Sequence, residues 1–313
     1  MSARQLRLLI VALGGLLVLW GAARVFSHGS DVTTGHLSLA GVTSGNADSV
    51  TITHAADTIR LIRAGARWSV NGYRASLQGV QDLFLSLRDS SPPDVAAVSP
   101  SSFARMAVDS SGGWWVRVDA GGRAVLQLVI GRTGQESGTG YLRRPGSDTV
   151  FLWRGRLPEL VRRPLDKWRD HRIAAVPPDS VRELAIERGG RRYILRAQAG
   201  RWHFDGGTAA DSGKVVGLLG RFRDLEASGF ATPAQADSSR RQRPRRAVTL
   251  RGPGDTVLAE IDFDSTASGY WVRRVGDATV YRMDTWQVDG ITPADSALRP
   301  TRPPAATRAP TRP

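Results

Sequence analysis

Cysteine is absent from all 313 residues, which excludes a disulfide framework, a thiolate nucleophile and any cysteine-based metal site. Histidine is scarce: His28, His36, His54, His171 and His203 are the only five, and none falls in a His-x-x-x-His or glutamate-adjacent spacing that would hold a metal. No Gly-x-Ser-x-Gly elbow and no Ser-x-x-Lys motif is present, so the usual serine nucleophiles are missing. Lysine occurs only at Lys167 and Lys214, so the basic character is almost wholly arginine. Catalytic, cofactor-binding and metal-ligating residues are therefore not expected, and the chain reads as non-enzymatic.

The formal charge of +14 is unevenly placed. Eleven arginines lie in three acid-free stretches: Arg4 and Arg7; Arg240, Arg241, Arg243, Arg245 and Arg246; and Arg299, Arg302, Arg308 and Arg312. Removing those eleven from +14 leaves +3, so the remainder mixes both signs and presents no broad basic face for nucleic acid. Nucleic acid is not an expected partner.

What is there, above all, is internal repetition. Asp48-Ser49-Val50 recurs as Asp179-Ser180-Val181, 131 positions later, and Gly65-Ala66-Arg67-Trp68 recurs as Gly200-Arg201-Trp202. The apolar ladder Val80, Leu83, Phe84, Leu87 returns 135 positions on as Val215, Leu218, Leu219, Phe222. Gly140-Tyr141-Leu142-Arg143 is matched by Gly269-Tyr270-Trp271-Val272-Arg273, and the Val150-Phe151 step by Val280-Tyr281. A period this long means duplicated domains, not a solenoid. Alternating runs (Val50 and Ile52, Ile59 and Leu61, Trp68 and Val70) predict half-buried antiparallel strands. The ladder predicts one amphipathic helix per copy, capped by Ser76 in the first and by Asp211 or Ser212 in the second. The expected class is α+β, with two tandem repeats that each pair a mostly antiparallel sheet with a packed helix.

Only one long apolar run exists. Residues 8–23 carry no charge, follow Arg4 and Arg7, and precede Arg24. Sixteen residues rise about 24 Å against a hydrocarbon core of about 30 Å, and a snorkelling Arg24 with Val25 and Phe26 extends the reach. The run reads as a transmembrane signal anchor with the bulk of the chain outside the cytoplasmic membrane; bulky Leu19-Trp20 and Arg24 argue against cleavage at Gly21-Ala22-Ala23. The expected division is residues 1–26 as anchor, 27–47 as flexible tether, 48–176 and 177–291 as the two repeats, and 292–313 as a disordered Pro/Arg-rich tail. Between the copies, residues 157–173 read as a helix interrupted at Pro164.

The Arg-Trp steps, the Gly-Tyr-Leu-Arg-Arg strand and Leu165-Asp166-Lys167-Trp168-Arg169-Asp170-His171-Arg172-Ile173, after an N-terminal anchor, resemble the domain of unknown function 4340 (DUF4340) family over about residues 45–290. The resemblance implies a bacterial, membrane-anchored protein encoded beside an ABC-type transport system related to gliding-motility auxiliary components. It carries no catalytic residues to transfer. The second copy departs from the pattern, having only Asp284-Thr285-Trp286 where the first has Trp168-Arg169-Asp170.

A few groups still merit a site reading. Asp262 and Asp264 share one face of a predicted exposed edge strand, a geometry open to paired-carboxylate chemistry if a pocket faced them. Residues 207–215 resemble a phosphate loop, with one residue too many between glycines and Val215 where Ser or Thr is needed. Trp68 and Trp202 are core positions or sugar platforms, and His203 is expected to be solvated and turned away from Trp202. Arg240, Arg241, Arg243, Arg245 and Arg246, in a long loop before the second closing sheet, are the candidate contact to anionic lipid or an acidic partner. The leading expectation is an extracytoplasmic binding or scaffold protein with an envelope or transporter partner; a carbohydrate-binding module and a hydrolase with a site between the repeats are the alternatives.

Overall fold

The structure is a computed structural model that describes residues 41–88 and 93–300. The expected anchor, most of the tether, the helix-ending Ser91-Pro92 and the last thirteen residues lie outside the described residues. Among the described residues no helix is long and apolar enough to cross a membrane.

The first copy runs β1 (Ser49–His54), β2 (Asp57–Ala64), β3 (Arg67–Val70), β4 (Tyr73–Arg74), a helix (Leu77–Arg88), β5 (Asp94–Ala97), a one-turn helix (Phe103–Met106), β6 (Trp114–Ala120), β7 (Arg123–Thr133), β8 (Thr139–Arg143) and β9 (Val150–Arg154). The second runs β11 (Glu183–Arg188), β12 (Arg191–Gln198), β13 (Arg201–Phe204), a helix (Ser212–Gly220), β14 (Leu225–Glu226), β15 (Gly229–Phe230), a helix (Pro233–Arg240), β16 (Arg246–Arg251), β17 (Val257–Thr266), β18 (Gly269–Arg274) and β19 (Val280–Met283). Between them lie a short helix (Leu157–Leu160), a 3-10 turn (Leu165–Trp168) and β10 (Arg172–Ala174), so the interrupted long helix expected over residues 157–173 is not what forms. Pro158 and Pro164 explain the difference. Each lacks a backbone donor, and Pro164 is extended at ψ 158°, which breaks the helical path before one long helix can propagate.

The two copies share one strand order. β2-β1-β6-β7-β8-β9-β5 in the first matches β12-β11-β16-β17-β18-β19-β15 in the second, with these neighbours paired antiparallel. In the first copy the strand after the amphipathic helix, β5, returns to pair with the last strand of the sheet; in the second that place is taken by β15, the strand before it, β14, pairing with β10. Register corrects one sequence match. Val50 faces Leu61 and Val118, and its counterpart facing Leu195 and Leu250 is Leu184, an offset of 134 that also relates Trp68 to Trp202. Asp179 and Ser180 lie in a 3-10 turn (Pro178–Ser180) just upstream, with Val181 extended after it; they mimic the start of a strand but cannot shift register, because a slip of three residues would turn the apolar face outward.

By contact the described chain falls into two compact units, residues 41–66 with 80–162, and residues 67–79 with 163–300. In the second unit Val215, Leu218, Leu219 and Phe222 join Leu184, Ile186, Val248 and Ile261 in one buried core. In the first, Val80, Leu83, Phe84 and Leu87 of the helix are likewise buried. The predicted caps form: Ser76 Oγ accepts from Gly79 N–H, and Asp211 accepts from Lys214 N–H at 3.1 Å. Packing continues past residue 291, since Thr292 is fully buried and Leu298 is only 4% exposed.

Candidate functional site

Three ionisable constellations in the second unit were candidates for chemistry. The first is the carboxylate pair. Asp262 and Asp264 do share a face opposite Ile261 and Phe263, but β17 is hydrogen-bonded on both sides, by β16 and β18, and Asp264 is buried at 1% exposure. The expectation of an exposed edge is thus corrected: the closing strands continue the ladder on both flanks, and the helix Pro233–Arg240, which nothing in the periodicity announced, brings fully buried Ser239 onto Asp264. Ser239 Oγ donates to Asp264 Oδ2 at 2.7 Å, and Arg273 reaches the same oxygen at 3.3 Å and Asp262 at 3.6 Å. Asp264 Oδ1 and Arg273 Nε are buried without a protein partner. Burial pushes the Asp262 carboxyl above its usual range, against the pull of Arg273.

The first copy explains this arrangement. By register Arg143 of β8 corresponds to Arg273, and Gly131, following Ile130, stands where Asp264 follows Phe263. Arg143 is also buried, but it donates from Nε to the Val108 carbonyl at 3.0 Å and lies over the Phe103 ring at 4.2 Å. A Cβ on Gly131 would collide with the Met106 carbonyl, so no carboxylate fits there. An arginine at this register position is therefore common to both copies, buried and hydrogen-bonded to backbone carbonyls in one, half-buried and paired with a carboxylate in the other. Asp264 is a structural counter-ion in this geometry.

The second constellation is the 165–173 segment. Arg169, 5% exposed, lies between the rings of Tyr73 at 3.7 Å and Phe230 at 3.6 Å, its guanidinium pushed down by burial and its Nε without a partner. Arg74 pairs with Asp170 alongside, Trp168 is fully buried, and His171 sets its ring edge-on to Phe230, each ring nitrogen 3.0 Å from a backbone carbonyl. Ser76 N–H donates to the Trp168 carbonyl, so the strand-to-helix corner of residues 67–79 is built onto this segment. Trp286, at the second copy's nearest equivalent, is 70% exposed.

The third is the arginine run, and it is shorter as a loop than expected. Arg240 ends a helix, bonding Asp237 and the Ala278 carbonyl, while Arg246 begins β16 and pairs with Asp289 at 2.6 Å. That leaves Arg241, Arg243 and Arg245 exposed, with no ion pair among the described residues. Thr232 starts the unforeseen helix with a capping box to Gln235, a pattern legible in Thr-Pro-Ala-Gln but lacking an apolar stripe to flag it.

The remaining candidates resolve locally. Residues 207–215 form a turn and the Asp211 cap, Trp202 is buried at 6% exposure, and Trp68 is half-buried. His203 is half-buried with Nδ1 enclosed and unpartnered, less solvated than its strand position predicted, because the 208–210 segment bridges back onto β13. The same segment uses the outer backbone of β13: Phe204 N–H donates to Thr208 and Ala210 N–H to Trp202. An open cleft of about 410 Å³ is lined by Arg182, Glu183, Arg196, Arg251 and Asp255; Glu183 pairs with Arg196 and Arg251, Asp255 with Arg251, and Arg182 bonds the Asp179 and Val181 carbonyls. Among the described residues no group of three or more histidines and acids is placed to hold a metal ion.

No curated protein and no solved structure matches the chain. A family model described as "Domain of unknown function (DUF4340)" matches residues 68–244, a span that includes Tyr73, Arg169 and Phe230, and the chain therefore belongs to that family.

Proposed function

We propose that the chain is a non-enzymatic, single-pass membrane-anchored protein whose duplicated region stands outside the cytoplasmic membrane and serves as a binding or scaffold component of an ABC-type transport complex. The observation that carries this reading is the use made of the buried ionisable groups. Arg143, Arg169 and Asp264 are buried and Arg273 is half-buried, each held by carbonyls, rings or one another, where a reaction site would aim them into a cavity. The uncharged run at residues 8–23, with Arg4 and Arg7 before it, supports the anchor and its orientation. A sugar-binding module would need a row of exposed aromatic rings; among the described tryptophans only Trp286 is exposed. Affinity capture of the detergent-solubilised full-length protein tests the reading. Co-purification of identified transporter subunits supports it, whereas capture of glycan alone, or a chain freely soluble in the cytosol, sinks it.

A further inference from the structure

We infer that one end of the second copy's sheet is a docking face for an anionic phospholipid surface. The inference deepens the anchored reading and rests on it for the proximity of a bilayer.

The face is assembled by register from segments about fifty residues apart in sequence. Arg188 pairs across to both Arg191 and Arg246, and Gly189 N–H donates to the Arg245 carbonyl. The β11–β12 turn and the loop before β16 therefore share one end of the sheet, which brings Arg191 and Arg192 to Arg241, Arg243 and Arg245. Two neighbouring arginines already share an acid: Asp289 takes Arg246 at 2.6 Å and Arg188 at 3.6 Å. The other five are exposed and without an ion pair among the described residues, and Asp295, the acid in electrostatic reach of Arg191, is held by Arg299 at 2.9 Å.

The second observation is Trp286. It lies on the helix Thr285–Ile291 one turn before Asp289, the residue that ties this helix to Arg188 and Arg246, and it is 70% exposed. An indole held in water beside free guanidinium groups matches the composition of a membrane interface, where tryptophan sits at headgroup depth and arginine meets phosphate. A lipid surface also suits arginines that nothing pre-orients, because mobile phosphates can gather around them. A specific acidic protein would be better served by side chains already fixed in place.

The absence of cysteine makes a clean test available, since Gln242→Cys supplies the only thiol in the chain. The full-length variant carries an environment-sensitive dye at that thiol and is assembled into nanodiscs of phosphatidylcholine, with or without phosphatidylglycerol. Docking predicts a blue shift in the anionic discs only, reversed by high salt. Each arginine is worth roughly fivefold in the docked-to-free ratio, so R241Q/R243Q/R245Q lowers it on the order of 100-fold. Trp286→Ala weakens it with the salt dependence kept. A dye response that ignores phosphatidylglycerol or the triple substitution overturns docking, as does a polyglutamate peptide that reproduces the shift in neutral discs and so assigns the face to an acidic protein. A chain that fails to enter the discs refutes the anchor instead, and the same labelled chain mixed with phosphatidylglycerol vesicles still reads docking by the same shift.

Discussion

Asp264 is nearly sealed from water and bears a hydroxyl and a guanidinium as its partners, so its removal takes from Arg273 the nearer of its two carboxylates and leaves only Asp262 at 3.6 Å. Breaking one member of a buried pair costs about 3–5 kcal/mol, and Asp264→Ala should lower stability by that order, read from denaturant midpoints. The triple variant Asp264→Ala, Arg273→Met, Asp262→Asn removes all three charges of the cluster and should recover much of the loss; a cost equal to or above the single change would show that the cluster is not what holds the site. Asp262 behaves in the opposite sense. Its folded pKa is raised by burial, so its protonated form favours the fold; that stabilisation is complete below the unfolded pKa of about 3.9 and is lost as pH rises through the higher folded value. Asp262→Asn should therefore be more stable than the parent at neutral pH, with the gap closing as pH falls through the raised folded value and closed below about 4. Equal stability at neutral pH would contradict the burial argument. These roles were invisible in the sequence: period two correctly put Asp262 and Asp264 on one face, but whether that face meets water depends on a helix about thirty residues upstream.

At the scale of elements, the helices form where an apolar stripe and a cap coincide. Asp211→Ala removes the acceptor for Lys214 N–H and should cost about 1 kcal/mol, whereas Leu219→Ala, in the core of the second unit, should cost about 2–5 kcal/mol. Thermal melts of both variants check the ranking, and an equal loss would mean the helix is held by something other than its buried face. The Gly131 site makes a complementary point. Alanine there meets the Met106 carbonyl and the Val108 side chain, so the covering turn must shift, at about 1–3 kcal/mol. The amphipathic helices and strand pairs were legible because burial follows periodicity. The Pro233–Arg240 helix and the two-residue strands β14 and β15 were not, since they are polar or too short to carry a period and exist through their partners.

For the whole molecule, Pro177-Pro178 looks like a seam between copies, yet the second unit draws on chain before it. Ile173, Ala174 and Val176 are buried in its core, β10 pairs with β14, and Arg169 is clamped between Tyr73 and Phe230. A fragment of residues 177–300 should lack a cooperative unfolding transition and near-ultraviolet dichroism; native-like spectra from that fragment would show the upstream segment to be dispensable. The sequence by itself determined the duplication, the amphipathic helix and main strand pairs of each copy, the caps of those helices, the uncharged N-terminal run and the want of reactive motifs, all of which follow from local pattern and composition. Only the tertiary structure decided that the second unit reaches back across its apparent boundary, that a carboxylate pair is interior, and that arginines from two distant segments meet at one end of a sheet. Register and burial are relations between remote residues, and no local window of sequence contains them.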